Sequence, residues 1–275
     1  MDRERLYRTE AVVLKRSGFG EADRLLTLYT PRLGKYRALA KGVRRLTSRK
    51  AGHLELFTHA QLLVAKARSL DIVTQAETID AYPNLRKDLL RASRAYYVVE
   101  LLDRFTGEGI ENRPLFELLL RTLSWLNAEP DVDLVIRFYE LHLLEMVGYR
   151  PQLFYCIGCQ TDIEPVTNCF SAAEGGVMCP HCGESSSDPA LRTIPVNSLK
   201  VLRYLQTRPF ESCRRLQLGA AIHRDLEHIM LCYVTYHLER NLKSIEFLRL
   251  LREPAHAPVA GLSTLTPSRE DTPLT

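Results

Sequence analysis

The chain has 275 residues, enough to bury a substantial core in one to three domains. Its hydrophobic fraction of 45% and charged fraction of 25% are those of a folded globular protein, which excludes a disordered or membrane-dominated chain. The net charge of +4 is unevenly placed: residues 1–50 hold 14 Lys/Arg against 5 Asp/Glu and the remainder 23 against 28, so the first segment suits an anionic partner.

The N-terminus, "MDRERLYRTE", lacks the apolar centre of a secretory signal. No apolar run approaches the roughly 18 residues of a spanning helix, so a cytoplasmic location is expected. Five short stretches rich in Val, Leu, Tyr and Thr then predict strands: "TEAVVLKRS" (9–17), "RLLTLYT" (24–30), "KYRALAKG" (35–42), "LFTHAQLLVAK" (56–66) and "LDIVTQAET" (70–78). Gly or Pro punctuates them, and the count suits a small barrel over residues 1–80. An OB-fold fits that count, and other five-stranded barrels fit the periodicity equally. "GFGEADR" (18–24) has two glycines of a phosphate loop but no third, and no helix begins there; it reads as the first turn.

Directly after the third strand comes "KGVRRLTSRK", with Lys41, Arg44, Arg45, Arg49 and Lys50 and no acidic residue. Lys35 and Arg37 alternate outward from Tyr36 and Ala38, and Lys15, Arg16 and Arg24 stand at the ends of neighbouring strands. In one barrel these cations converge on one side. Lys and Arg contacts to phosphate, driven by counterion release, supply most non-specific nucleic-acid affinity. Tyr29 and Tyr36 are candidates either for base stacking or for packing in the barrel. The plainer reading of the run is a solvated loop whose charge serves solubility.

Beyond Tyr82 the apolar period becomes helical over 84–106, 113–127 and 131–148, with Pro83, Pro114 and Pro130 near the starts. The third segment is apolar around most of its circumference, which places it at the centre of a helical core. Asp131 or Asp133 is its expected cap, and Gly148 and Pro151 mark its stop. After an insertion at about 151–192, helices resume at "NSLKVLRYLQT", with Asn197 as the expected cap, and over 222–243. There Leu226, Ile229, Met230, Tyr233 and His237 share a face. From Glu253 onward four prolines and many Ser/Thr predict a disordered tail, 253–275.

Seven cysteines include two matched pairs, "YCIGCQ" and "MCPHCGE": Cys156, Cys159, Cys179 and Cys182, spaced C-x2-C-x19-C-x2-C. In a reducing compartment this pattern favours metal over disulfides. Four thiolates close a tetrahedron around zinc and leave no position for substrate, so the expected site is structural. Gly158 and Gly183 are expected to supply its tight turns, and His181 to face solvent. Cys169, Cys213 and Cys232 read as small buried or half-buried residues. A redox pair needs one reactive Cys-x-x-Cys in a βαβ setting. A zinc deaminase needs His-x-Glu and then Pro-Cys-x-x-Cys; here "HLE" (53–55) lies far upstream and Met178 precedes Cys179. No P-loop, G-x-S-x-G or H-E-x-x-H occurs. His142 and His237 read as ordinary members of helix faces.

The order of these segments resembles the bacterial RecO family of DNA repair proteins over roughly residues 5–250. The resemblance is carried by "TEAVVLKRSGFGEADRLLTLYTPRLGKYRALAKGVRR", "LELFTHAQLLV", "AETIDAYPNLRKDLLRASRAYYVVELLDRF" and, most specifically, "FYELHLLEMVGYRPQLFYCIGC" followed by "CPHC". It implies a multidomain α+β chain: an N-terminal five-stranded OB-fold β-barrel (1–80), then an α-helical domain (81–252) with an inserted four-cysteine zinc-binding segment. It further implies binding of single- and double-stranded DNA, annealing of complementary strands, and recombinase loading onto strands coated with single-stranded-DNA-binding protein. RecR and in many bacteria RecF are the implied partners, with no nucleotide used and no covalent chemistry. "GKYRALAKGVRR" maps to the DNA-contacting strand and loop, with Lys35, Arg37, Lys41, Arg44 and Arg45 foremost and Arg24, Arg49 and Lys50 beside them. No motif locates a pocket for the acidic tail of single-stranded-DNA-binding protein. An RNA-binding or transcription-associated zinc-ribbon protein and a zinc-dependent hydrolase or deaminase remain the alternative readings of the residues.

Overall fold

In β1 (Leu6–Phe19) the residues Ala11 and Val13 point into a barrel, while Val12 and Leu14 point outward and are equally buried. Strand residues alternate faces, so a strand covered on both sides reads as the continuous run "AVVL". The structure, a computed structural model, describes residues 6–238, and the tail expected at 253–275 lies outside the described residues. The other barrel strands are β2 (Asp23–Thr30), β3 (Gly34–Ala40), β4 (His59–Ala65) and β5 (Asp71–Asp80).

They close in the order β1-β2-β3-β5-β4, with β1 pairing both β2 and β4. Every pairing is antiparallel except β3 with β5, where only Ala38–Asp71 and Leu39–Ile72 are in register. That short parallel seam makes the barrel OB-like and narrowly closed. Leu26, Leu28, Ala38, Leu62, Val64 and Val73 fill its interior.

The helices follow as α1 (Asn84–Lys87), α2 (Leu89–Phe105), α3 (Arg113–Ala128) and α4 (Val132–Met146). The single helix expected over 84–106 is broken at Asp88, whose extended backbone lets its carboxylate accept from the N–H groups of Leu90 and Arg91. Asp131 caps α4, accepting from Leu134 N–H at 2.9 Å, whereas Asp133 pairs with the buried Arg94. As expected, α4 is buried on nearly all sides. Two of its buried residues, Arg137 and Glu140, pair at 2.9 Å, and the Tyr97 hydroxyl donates to Glu140 at 2.6 Å.

The inserted segment forms β6 (Asn168–Ser171), β7 (Gly176–Met178), a short α5 (Pro180–Glu184) and β8 (Arg192–Ile194), the strands ordered β7-β6-β8. Then come α6 (Val196–Thr207), α7 (Phe210–Cys213) and α8 (Ala220–Leu238). Asn197 is not the cap of α6: the extended Pro195, two residues earlier, precedes the helix, α6 begins at Val196, and Asn197 lies in the first turn. On α8, Leu226, Ile229, Met230 and Tyr233 are buried, and the His237 ring lies tilted against Tyr149 with ring centres 4.4 Å apart.

Barrel and helices share one apolar cluster, because Val12, Leu14, Tyr29 and Phe57 pack into the helical core. A polar joint surrounds that contact. Lys15 and Lys35 both meet Asp103 of α2, Gly109 N–H donates to the Lys35 carbonyl (2.8 Å), and Arg37 pairs with Glu108 (3.1 Å). Gly34, at φ +57°, lets the β2–β3 turn lie against the Ile110 backbone where a Cβ would collide. Among the described residues no helix is long and apolar enough to cross a membrane.

Candidate nucleic-acid interface and cysteine cluster

The loop after β3 is held by its backbone. Gly42, at φ +64°, donates its N–H to the Asp23 carboxylate (2.7 Å), and Arg44 N–H reaches the Ala22 carbonyl (2.9 Å). Val43 drops into the barrel core, and Arg45 and Ser48 close local turns onto Gly42 and Arg45. The side chains of Lys41, Arg44, Arg45 and Arg49 are left exposed. Among the described residues none of these four makes an ion pair or a side-chain hydrogen bond. Cations fixed at the backbone and unpaired at the tip can take phosphate oxygens without first losing a protein partner.

The other four expected contacts are engaged within the protein. Lys35 is nearly buried against Asp103, donating to its carboxylate (3.2 Å) and its carbonyl (2.6 Å). Burial pushes the Asp103 carboxyl up, but Lys15 and Lys35 outweigh it and hold it below the ordinary value. Arg37 faces Glu108. Arg24 and Arg16 share Glu55; burial pushes that carboxyl up, but the two guanidinium groups prevail and keep it below the usual carboxylate range. Lys50 turns inward to the Val73 carbonyl (2.9 Å), and desolvation lowers its pKa. The alternation of Lys35 and Arg37 on β3 is real, but their shared face meets α2 and the α2–α3 connection.

Neither tyrosine offers an open stacking face. Tyr29 is fully buried in the helical core, and Tyr36 is half-buried with its hydroxyl enclosed. The basic run also conceals two neighbours. Ile72 pairs with both Leu39 and Ala65, so the β4–β5 turn, with exposed Lys66 and Arg68, lies at the same seam as the end of β3. Their separation in sequence from 41–50 hides this; only the parallel pairing of β3 with β5 reveals it.

Around the cysteines, the Sγ atoms of Cys156, Cys159, Cys179 and Cys182 lie within 4.8 Å of one another. Cys156 and Cys159 sit in a turn closed by Cys156 N–H to the Thr161 carbonyl and Gln160 N–H to the Cys156 carbonyl, both 2.8 Å. Cys179 precedes α5 and Cys182 lies within it. The left-handed residue of the first turn is Gln160 (φ 61°), not Gly158. Gly158 and Gly183 instead permit close approach: a Cβ would stand 3.0 Å from Cys182 Sγ at the first and 2.5 Å from Cys169 Sγ at the second. His181 is exposed, and Cys169, Cys213 and Cys232 are buried or half-buried.

Thr161 holds the Cys159 thiol down to about 6, whereas its three cysteine neighbours push Cys182 up to about 12. Four crowded sulfurs therefore resist ionising together unless a cation neutralises them. Cys179 N–H donates to Cys156 Sγ at 3.3 Å, an arrangement that supports a metal-bound thiolate. All four donors are sulfur, one pair from a turn and one from the start of α5, and this set suits a closed tetrahedral metal centre.

Residues 1–82 match the family model described as Recombination protein O N terminal, and residues 86–246 match Recombination protein O C terminal. The DNA repair protein RecO of Roseiflexus sp. (strain RS-1) is 43% identical over 274 residues, which cover 98% of this chain and 96% of that protein. The DNA repair protein RecO of Desulforudis audaxviator (strain MP104C) is 38% identical over 244 residues, covering 88% and 96%. That of Dehalococcoides mccartyi (strain ATCC BAA-2266 / KCTC 15142 / 195) is 36% identical over 242 residues, covering 88% and 94%.

Proposed function

The chain belongs to the RecO family of DNA repair proteins, and from that premise we propose that it is a recombination mediator acting by binding rather than by covalent catalysis. It binds single- and double-stranded DNA, anneals complementary strands and helps load recombinase onto strands coated with single-stranded-DNA-binding protein. RecR, the tail of single-stranded-DNA-binding protein and RecF are its partners, in the cytoplasm at the nucleoid. Residues 1–80 act as the DNA-binding domain and 81–252 as a helical domain. Zinc held by Cys156, Cys159, Cys179 and Cys182 braces the inserted segment; the metal supplies folding energy there and no reaction.

The observation that carries the DNA reading is the pinned loop with four unpaired cations, Lys41, Arg44, Arg45 and Arg49. Phosphate contacts of this kind are indifferent to sequence, as annealing of arbitrary strands requires. Neutralising backbone charge also lowers the repulsion between two approaching strands.

Replacing Lys41, Arg44 and Arg45 together by Ala weakens binding and flattens the salt dependence on single strands by about two units of slope, at roughly 0.7 per lost contact. Unchanged affinity and slope would place the DNA site elsewhere. Annealing of DNA and RNA oligonucleotides at matched salt decides between the two nucleic acids.

A further inference from the structure

The barrel end that carries the unpaired cations also exposes two large apolar side chains. Leu46, between Arg45 and Thr47, is fully exposed at 106%, and Phe19, the last residue of β1, is exposed at 47%. Single exposed apolar residues are common and need no explanation. These two, however, belong to one stapled unit. Phe19 stands opposite Asp23 in the β1–β2 register, and the Asp23 carboxylate accepts the Gly42 N–H at the root of the loop. The Arg44 N–H bonds to Ala22 within the β1–β2 turn, and an Arg44 guanidinium nitrogen lies 3.8 Å from where a Cβ on Gly18 would be. Neither Phe19 nor Leu46 joins either apolar core.

An ordinary apolar protein surface covering these residues would strip water from Arg44, Arg45, Lys41 and Arg49 and offer them nothing in return. A partner carrying regular negative charge together with exposed apolar faces satisfies both. Single-stranded nucleic acid has that chemistry: phosphates for the cations, and unstacked base faces for an aromatic ring or an aliphatic wedge. In a duplex those faces are already stacked.

We infer that Phe19 and Leu46 form a base-contacting element that gives this barrel end a preference for unpaired nucleotides over duplex. The inference rests on the nucleic-acid reading above and specifies where bases, as opposed to phosphates, are met. The loop cations bind any phosphate backbone; Phe19 and Leu46 add affinity only where a base face is free.

The test uses the full chain, the double variant Phe19→Ala/Leu46→Ser, three nucleic-acid probes (an oligothymidine strand, the same strand with abasic sites, and a duplex) and, as a fourth, phosphatidylglycerol vesicles. Both residues are exposed, so an unchanged melting temperature serves as the folding control. The wild type is expected to bind the base-bearing strand about tenfold more tightly than the abasic strand. The double variant loses that difference while keeping its affinity for the abasic strand and the duplex, with the same salt slope. Equal wild-type binding of base-bearing and abasic strands overturns the inference. So does a double variant that weakens on all three nucleic-acid probes alike, or one whose only loss is binding to phosphatidylglycerol vesicles. If Lys41→Ala/Arg44→Ala/Arg45→Ala binds every nucleic-acid probe as the wild type does, the underlying DNA reading fails; if it weakens while the double variant is unaffected, only the base-contact element falls.

Discussion

Asp103→Asn tests whether the cations beside it hold the molecule together or are free for an anionic partner. Lys15 and Lys35 converge on this carboxylate, but they stand in different surroundings. The Lys15 side chain is 54% exposed and can return to water, so its pairing contributes little. Lys35 is 12% exposed and Asp103 15%, and without the carboxylate charge Lys35 keeps the Asp103 carbonyl as its main acceptor. Breaking a fully buried pair costs about 3–5 kcal/mol; partial access to water reduces this to about 2 kcal/mol here. For a chain of this size each kcal/mol lowers the melting temperature by roughly 2–4 °C, so a drop of roughly 4–8 °C is expected. DNA affinity is retained, since an anionic group has been neutralised and Lys15 released.

The pH dependence carries a sign of its own. The folded Asp103 carboxyl titrates below its ordinary value of 3.8, so the stability it contributes is complete above 3.8 and disappears as pH falls through the depressed folded value. Melting curves of wild type and Asp103→Asn should differ by a constant amount near neutrality and converge in acid. Lys35→Met, combined with Asp103→Asn, should cost less than the two single changes summed, because the pair is then removed together. An Asp103→Asn protein that melts like the wild type, beside a Lys35→Met protein with a reduced salt slope on DNA, would refute this reasoning and return Lys35 to the DNA surface.

Two further outcomes concern the inserted segment. On the proposed zinc site, Cys179→Ser should lower the zinc content per chain and the melting temperature while DNA affinity persists; a variant with wild-type zinc content would exclude the four-sulfur site. Gly183→Ala should destabilise by about 1–3 kcal/mol through overpacking against Cys169, and Cys169→Ala should restore part of that loss. Equal losses in both backgrounds would show that Gly183 is required for its backbone rather than for space.

The barrel and the cysteine quartet are legible in the sequence because each is written locally. Alternating apolar residues with turn signals define strands within a few positions of one another, and two Cys-x-x-Cys pairs mark the four sulfurs that the fold gathers. The break at Asp88 is not legible, since the apolar period runs through it and only the capping geometry ends α1 there. Gly158 and Gly183 mislead for a related reason: a glycine's sequence context suggests a turn, whereas what excludes a side chain is the sulfur of Cys182 or Cys169 brought in by the tertiary fold. Lys66 and Arg68 are hidden because the β3–β5 pairing joins residues more than thirty positions apart.

Charge shows the same division most clearly. In sequence the positive surplus of the first 50 residues reads as one footprint for an anionic partner, yet among the described residues the structure separates two groups of these cations. Lys15, Lys35 and Arg37 meet Asp103 and Glu108 and tie the barrel to the helices, while Arg16 and Arg24 meet Glu55 inside the barrel's own layer. Lys41, Arg44, Arg45 and Arg49 remain outside these pairings on a loop whose backbone is already fixed. The two groups do not share residues, so a polyanion arriving at the loop need not compete with Asp103 or Glu108 for a cation. Occupation of the loop can then leave the barrel–helix joint intact, and the cations that build the molecule and those free to bind can be altered independently.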